Sequence, residues 1–439
     1  MKKRNFILIV ILTIILILVA LVFWYGKKTP TDTTTGGGGP INFLADLLPF
    51  GNKNKDQNNT GDQPVDISDY VDESIKEVKP LTLTKVSTMP VAGFGSFMKE
   101  RFVEVPEVIP GTESAEVAQT PTAPATEFAV ALRYVDKVSG NVFQTWADRI
   151  NERKFTNTVI PQVHEAIFGG KGNSVVMRYL RPDQKTIVSF IGKLPGDTLG
   201  ADSSSGKVEG TFLPDDTSDI VFSKDGNSMF YIYELGQSAI GIAANSAGEG
   251  KTQILDFPYT EWLSLWPNKS TITLTTKASG LSPSYLYKLN PETKEFNKVL
   301  GGMYGMTSLT SPDGKLILYG NNKLGLFIYN TETRNERTLK INTLPEKCVW
   351  NSVNDLYCAV PKLFEQALYP DTWYMGEVSF EDQLWKVEGS NFIENIVLDL
   401  KTNSEKIDID ATKLALSDSE DYLFFINKKD SYLWELRLK

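Results

Sequence analysis

A unit of four short strands recurs along this chain, and its period limits the folds that the chain can adopt. The clearest copy is residues 306–339, MTSLTSPDGKLILYGNNKLGLFIYNTETRNERTL. Within it, residues 311–314 (SPDG) suit a type I turn followed by a left-handed glycine, because proline presets φ at the second turn position. The apolar runs on both sides of this turn predict an inner hairpin that is buried in a stack of sheets. A second hairpin, with a polar outer strand, completes the unit.

The same inner hairpin recurs elsewhere in the sequence. Its further copies are residues 166–179, 220–233, 263–276, 348–360 and 414–426. Outer hairpins are predicted at residues 134–146 and 286–300. Four strands per unit and a period of roughly 40 to 50 residues are typical of a β-propeller, in which each unit is one blade. The sequence therefore predicts an all-β propeller with four-stranded blades.

The two ends of the repeat region predict how the ring closes. The chain finishes on SYLWELRLK, which resembles the third strand of a blade that lacks its fourth, whereas residues 81–93 resemble an outer strand and its exit. We therefore predict that residues 81–88 pair with residues 431–438, which removes the exposed sheet edges. This arrangement gives seven blades, the first spanning about residues 89–158. Six blades is the alternative, because residues 379–410 can be divided in two ways.

The turn of the clearest unit resembles a known repeat. Residues 311–315 (SPDGK) and the apolar strand after them are similar to the WD-like repeat of TolB-type propellers, and the resemblance covers most of residues 80–439. The Trp-Asp ending of true WD repeats is absent. The resemblance implies a propeller that works with partners in a cell-envelope assembly. It implies this only by analogy, because propellers carry many unrelated activities.

An uncharged segment near the start of the chain predicts a membrane anchor. It runs between Phe6 and Tyr25 and is almost wholly apolar, and as a helix at about 1.5 Å per residue it would span a bilayer core of roughly 30 Å. The basic residues Lys2 to Arg4 should stay in the cytoplasm, which places the rest of the chain on the outer face. A cleaved signal peptide is the alternative, although the segment ends on bulky aromatic residues rather than a small-residue cleavage site.

Composition divides the chain into three predicted parts: the anchor (1–26), a linker (27–79) and the propeller (80–439). The linker is rich in Thr, Gly, Asn, Asp and Gln, so it cannot bury enough apolar surface to offset its chain entropy. One apolar run within it, residues 41–50 (INFLADLLPF), is too short to span a membrane. This run either contacts the membrane surface or a partner, or it is a linker element without a binding role.

Charge and composition restrict the chemistry. A net charge of −9 and a pI near 5.0 leave no basic stripe for nucleic acid. The chain has one histidine, His164, and no motif of a serine hydrolase, a zinc protease or a phosphate-binding loop. We therefore predict a protein without enzymatic activity, cofactor or metal. A carboxylate-dependent hydrolase stays an alternative, because catalytic carboxylates from distant blades leave no local spacing in the sequence.

The only two cysteines lie in one predicted hairpin, CVWNSVNDLYC. A turn centred on Val353 places Cys348 directly opposite Cys358 across an antiparallel pair. Directly opposed residues of the non-hydrogen-bonded class have Cα atoms about 4.5 Å apart, which is within disulfide range. An oxidising outer face would permit this bond, and the alternative is a pair of small buried thiols.

Residues 361–380 interrupt the sixth unit between its second and third strands, and loops at this position share a propeller face with the connections between blades. The segment is unusually aromatic for a loop. Its candidate contact residues are Phe364, Tyr369, Trp373, Tyr374 and Met375. Exposed aromatic side chains are typical of partner and glycan sites. The alternative is a lid that folds over its own blade and covers an edge.

Together these features predict a single-pass membrane protein, amino terminus inside, that presents a propeller on the outer face of the cytoplasmic membrane. We expect a binding scaffold for another envelope protein, because a closed ring is rigid while its loops vary freely. A propeller that binds cell-wall glycan is the first alternative, and the hydrolase is the second. The expected partners are an unidentified envelope protein and, through the N-terminal helix, the lipid bilayer.

Overall fold

The structure is a computed structural model. The part of the chain that it describes contains seven antiparallel sheets of four strands each. The described residues are 81–103, 125–197, 199, 206–215, 217–258, 261–400 and 408–439. The predicted all-β propeller with four-stranded blades is confirmed. The count of seven blades is confirmed as well, and the six-bladed alternative is wrong.

The predicted membrane span (6–25) and linker (27–79) lie outside the described residues. Among the residues that are described, no helix has both the length and the apolar character needed to cross a bilayer.

The strands follow one another in chain order, and the first strand, β1 (Leu83–Lys85), belongs to the last blade. Blade 1 contains β2 (Val91–Phe102), β3 (Thr126–Asp136), β4 (Val142–Trp146) and β5 (Arg153–Lys154). Blade 2 contains β6 (Val163–Gly169), β7 (Ser174–Leu180), β8 (Ile187–Lys193) and β9 (Glu209–Phe212). Blade 3 contains β10 (Thr217–Phe222), β11 (Ser228–Leu235), β12 (Ser238–Asn245) and β13 (Thr252–Phe257).

The other four blades repeat this order. Blade 4 contains β14 (Trp262–Asn268), β15 (Thr271–Thr276), β16 (Pro283–Leu289) and β17 (Phe296–Tyr304). Blade 5 contains β18 (Ser308–Thr310), β19 (Leu316–Gly320), β20 (Gly325–Asn330) and β21 (Glu336–Asn342). Blade 6 contains β22 (Cys348–Trp350), β23 (Leu356–Pro361), helix α1 (Asp371–Tyr374), β24 (Asp382–Val387) and β25 (Glu394–Asp399). Blade 7 contains β26 (Ala411–Leu416), β27 (Tyr422–Asn427), β28 (Leu433–Arg437) and β1.

The antiparallel strand order defines two faces of the ring. The turns between the first and second strands, and between the third and fourth, lie on one face, which we name the hairpin face. The loops between the second and third strands, and the connections between blades, lie on the opposite face, which we name the connection face. Inner strands of adjacent blades contact each other, as β2 contacts β6 and β10 contacts β14.

The inner turn of the clearest repeat has the predicted conformation. Gly314 adopts φ +75°, and its N–H donates to the carbonyl oxygen of Ser311 at 2.9 Å. The Ser311 hydroxyl lies 2.6 Å from Asp313 Oδ1 and accepts a hydrogen bond from the N–H of Leu316. Because glycine carries no Cβ, it adopts this left-handed conformation without steric cost. The residues SPDG therefore fix the hairpin through local hydrogen bonds.

The ring closes through its first and last strands, as predicted. β1 pairs antiparallel with β28, so that Leu83 lies opposite Leu436 and Lys85 opposite Trp434. The Val86 N–H extends the pairing by donating to the carbonyl oxygen of Leu433 at 2.8 Å. Blade 7 thus takes its outer strand from the start of the propeller region and its three other strands from the end.

One predicted hairpin has a different place in its blade. Residues 134–146 belong to the hairpin of β3 and β4, the second and third strands of blade 1, rather than to an outer hairpin. The reason is that β5 is only two residues long, so the outer strand of this blade leaves almost no pattern in the sequence.

Buried side chains fill the space between adjacent blades. Between blades 5 and 6, for example, Leu318 and Leu326 belong to the same buried cluster as Trp350 and Cys358. Burial of this kind supplies most of the stability of a sheet stack, at roughly 25 cal/mol per Å² of apolar surface.

Candidate functional site

The segment between β23 and β24 crosses the connection face well beyond its own blade. We name residues 362–381 the strap. Within the described residues, the strap contains one helix, α1, which is a single turn. The contacts of the strap reach blades 4, 5 and 7. The alternative of a lid confined to its own blade does not describe this segment, because side chains of the strap bind to loops of other blades.

The first of these contacts ties the strap to blade 4. Asp371 accepts a hydrogen bond from the N–H of Gly280, in the loop between β15 and β16, at 2.6 Å. A Cβ added at Gly280 would lie 2.6 Å from Leu368 Cδ1 and 2.9 Å from the carbonyl oxygen of Tyr369. Such distances are too short for non-bonded carbon and oxygen atoms. Only glycine at position 280 therefore allows the strap to approach this closely.

The second contact joins the strap to the connection that leads from blade 5 to blade 6. Glu346 accepts a hydrogen bond from the hydroxyl of Thr307, just before β18, at 2.8 Å. It accepts another from the hydroxyl of Tyr374 in α1. Burial raises the pKa of the Glu346 carboxyl above its ordinary value. One carboxylate thus bridges the strap and the start of blade 5.

Beneath the strap lies a fully buried ionic cluster. The Nζ of Lys347 lies 2.8 Å from Asp382 Oδ2 and 2.5 Å from Asp410 Oδ1, and all three side chains have no exposed surface. Lys347 also donates to the carbonyl oxygen of Ala411 at 2.8 Å. Burial raises the pKa of Asp382 to about 6. Since Lys347 directly precedes β22, Asp382 begins β24 and Asp410 directly precedes β26, the cluster joins blades 6 and 7.

Trp373 of the strap lies against this cluster. Its indole N–H donates to Asp410 Oδ2 at 3.1 Å, and its ring lies 5.4 Å from Lys347 Nζ and 5.0 Å from Lys428 Nζ. The backbone N–H of Phe380 donates to the same oxygen of Asp410 at 3.0 Å. The cluster holds the strap in place, and because solvent cannot reach its carboxylates, a glycoside cannot reach them either.

The five residues predicted to contact a partner divide into two groups. Met375 and Phe364 are exposed, at 64% and 45%, and Tyr374 is exposed at 39%. Tyr369 and Trp373 are buried, at 1% and 4%, so their side chains are not displayed on the surface of the strap. The physical reason is that the strap packs these two rings on Leu324, Leu344 and Phe380. An aromatic loop sequence alone does not distinguish a ring that anchors the loop from one that it displays.

Exposed apolar side chains surround the anchored part of the strap. Leu363 is 87% exposed and adjoins Phe364, and Leu281 of blade 4, next to Gly280, is 76% exposed. An open cavity of about 640 Å³ lies between the strap and blade 5. Its walls include Phe364, Leu368 and the loop residues Asn322 and Lys323. We name this cavity and the exposed side chains of the strap the strap surface.

The two cysteines lie close to this site, since Cys348 directly follows Lys347 and Cys358 lies on the paired strand β23. They are directly opposite each other in the register of β22 and β23, with Cα atoms 4.1 Å apart, and a disulfide joins their sulfurs. Within the described ranges, no group of three or more His, Cys, Asp or Glu side chains is placed to hold a metal ion.

Sequence reasoning missed the residues that position the strap, namely Gly280, Glu346, Lys347, Asp382 and Asp410. Apart from the neighbours Glu346 and Lys347, each comes from a different loop or strand start, so no local spacing connects the set. The one usable signal was charge: Lys347 and Asp410 each directly precede an inner strand whose first residue is small and apolar, Cys348 and Ala411.

The sequence matches no protein-family model and no curated protein. Among solved structures, the fold is similar to the β-propeller domain of the Trilobed protease from Pyrococcus furiosus, with 8% identity, 71% of this chain and 90% of that chain covered, and a TM-score of 0.46. It is similar to TolB from Acinetobacter baumannii, with 8% identity, coverages of 71% and 77%, and a TM-score of 0.37. An oligogalacturonate lyase in complex with manganese shows 12% identity, coverages of 70% and 74%, and a TM-score of 0.39. These likenesses concern the fold and do not distinguish a binding protein from an enzyme.

Proposed function

We propose that this chain is a single-pass membrane protein whose propeller lies on the outer face of the cytoplasmic membrane and binds a protein partner in the cell envelope. The partner binds at the strap surface. The chain acts as a scaffold and carries out no reaction at this site. The anchor is the segment between Phe6 and Tyr25.

One observation carries the proposal: the strap is rigidly held yet displays apolar side chains. Asp371, Tyr374 and Trp373 bind it to blade 4, to the blade 5–6 connection and to Asp410. Leu363 and Phe364, between these anchors and β23, stay exposed. A pre-formed apolar surface binds a partner at low entropic cost, because few groups need to be ordered on association.

The chemistry of the strap surface indicates the kind of partner side chain that fits. The cavity beside Phe364 accommodates one large apolar or aromatic group, the usual anchor of a protein interface. Glu365 and Glu377 are exposed on the same strap, and they favour lysine or arginine at the rim of the partner.

The proposal is tested with the full-length chain on intact cells. Cross-linking, purification of the tethered protein and mass spectrometry identify what binds to it. We expect an envelope protein to be recovered with wild type and its yield to fall about tenfold when Leu363 and Phe364 are both changed to alanine, a loss typical of interface hot spots.

The matched control is Leu235→Ala, which removes a 62%-exposed leucine at the end of β11, on the connection face of blade 3. We expect this variant to capture the partner as wild type does. Equal capture by all three proteins would contradict a role for the strap surface. Recovery of cell-wall polymer alone would favour the glycan-binding alternative.

A further inference from the structure

The hairpin of β2 and β3 is longer than the rest of its blade. The two strands pair without interruption from Gly93 and Val135 to Phe102 and Thr126, whereas β4 pairs with β3 only between Ala131 and Val135. Residues 98–102 and 126–130 therefore continue past the four-stranded sheet as a two-stranded ribbon. Five residues of a strand extend roughly 16 Å. We name this part the blade 1 ribbon.

One side of the blade 1 ribbon is apolar and exposed. Met98, Phe102 and Phe128 are exposed at 37%, 40% and 69%, and the register of the strands puts them on the same side, together with Glu100. The opposite side carries charge, because Arg101 donates to Glu127 at 2.8 Å. Paired charges along the ribbon oppose its pairing with a strand of another protein.

The direction of the ribbon follows from the strand order. β2 starts at the connection face and ends at the hairpin face, so the ribbon projects from the hairpin face. β28 runs in the same direction as the inner strands, and β1 is antiparallel to it. The chain that precedes Leu83 therefore enters the ring at the hairpin face as well.

We infer that the apolar side of the blade 1 ribbon contacts the surface of the lipid bilayer. The inference rests on the membrane anchor of the proposed function. The chain that comes from the anchor reaches β1 on the hairpin face, the same face from which the ribbon projects, so the ribbon and the tethered end of the ring lie on one side of the propeller. Two phenylalanines and a methionine are the side chains that insert between lipid headgroups, and Glu100 stays hydrated at that depth. The strap surface, on the opposite face, is then turned toward the envelope partner.

The test uses the full-length chain reconstituted in phosphatidylcholine vesicles. Phe128→Cys is labelled with an environment-sensitive fluorophore, which reacts at that site because Cys348 and Cys358 are joined. The control label is at Met375→Cys, on the opposite face and also exposed. With nitroxide-labelled lipids in the vesicles, we expect quenching at position 128 to exceed that at position 375 by about twofold or more, as for a group at the headgroup boundary.

Each result decides the inference. Equal and weak quenching at both positions, in protein that floats with the vesicles, would overturn the ribbon contact and leave the anchor intact. Failure of the full chain to float with the vesicles would overturn the anchor and the ribbon contact together. A label at position 128 that is shielded from water in detergent by a second copy of the chain would show that the ribbon binds protein instead, which also overturns the inference.

Discussion

Trp373 in the strap of blade 6 donates its indole N–H to Asp410, the residue before the inner strand of blade 7, across 3.1 Å. The same carboxyl group lies 2.5 Å from Lys347 Nζ. A tryptophan in a loop, a lysine between blades 5 and 6 and an aspartate before blade 7 thus form one buried assembly. The strap is therefore part of the fold, and the surface that it displays is fixed by contacts beneath it.

We expect Trp373→Ala to lower the free energy of unfolding by about 3–5 kcal/mol, because it leaves a cavity under the strap and removes a donor to Asp410. Met375→Ala, in the same strap but exposed, should change it by less than about 0.5 kcal/mol. Denaturant unfolding followed by far-ultraviolet circular dichroism, which reports on the backbone, measures the free energy of unfolding of both variants. Similar small losses for the two variants would show that Trp373 is not an anchor.

Glu435 on β28 gives the protein a predicted pH dependence. Its side chain is buried, and burial, with a smaller effect of Asp148, raises its pKa to about 8. In the unfolded chain a glutamate ionises near pH 4.3, so between these values the folded protein binds one proton more than the unfolded protein. The contribution of protonated Glu435 to the free energy of unfolding is fully present below about pH 4.3. It falls by about 1.4 kcal/mol per pH unit above that value and is lost as the pH rises through about 8.

Glu435→Gln removes this titration. The melting temperature of the variant relative to that of wild type should therefore increase as the pH rises from about 4.5 to about 8, and it should not change further above pH 8. Any offset caused by the amide itself is independent of pH. Melting temperatures measured in steps of one pH unit give the comparison, with Glu292→Gln, in an exposed turn, as a second variant that replaces a glutamate by the same amide. Parallel curves for wild type and Glu435→Gln would contradict the raised pKa.

The disulfide between Cys348 and Cys358 should be present in the protein as it is purified from its cells. We expect no thiol to react with an alkylating reagent until a reductant is added. Reduction should lower the free energy of unfolding by about 2–3 kcal/mol, since the bond closes a short loop in the unfolded chain, with a sequence separation of 10. Quantitative alkylation without reductant, measured by intact mass, would favour the alternative of two buried thiols.

The parts of this fold that the sequence predicted are those with local causes. The turn at residues 311–314 has its serine, aspartate and glycine in one place, and the same chemistry recurs in the inner hairpin of blade 3. There the Ser223 hydroxyl lies 2.6 Å from Asp225 Oδ1, and Gly226 adopts φ +72°. Strand alternation and this period were sufficient for the blades, the closure and the opposed cysteines.

The arrangement of the strap depends on contacts between distant blades, which no local pattern encodes. Asp371 binds the N–H of Gly280, a separation of 91 residues, and Trp373 binds Asp410. A sequence pattern shows that the strap is aromatic but does not show which rings are buried. Only the structure distinguishes the buried Trp373 and Tyr369 from the exposed Phe364.

The closing strand offers a last prediction with an internal control. The Arg437 N–H donates to the carbonyl oxygen of Thr82, and the Val86 N–H donates to that of Leu433. Because hydrogen-bonded pairs alternate along an antiparallel ladder, Thr84 and Glu435 exchange hydrogen bonds, whereas the N–H of Lys85 faces away from β28.

Thr84→Pro should therefore lower the free energy of unfolding by about 1–3 kcal/mol and speed amide exchange along β28, because it leaves a buried carbonyl without its donor. Lys85→Pro should cost less, since proline is tolerated where an edge strand has no donor to lose. Hydrogen exchange by mass spectrometry on both variants provides the measurement, and equal protection of β28 in the two would contradict closure of the ring by β1.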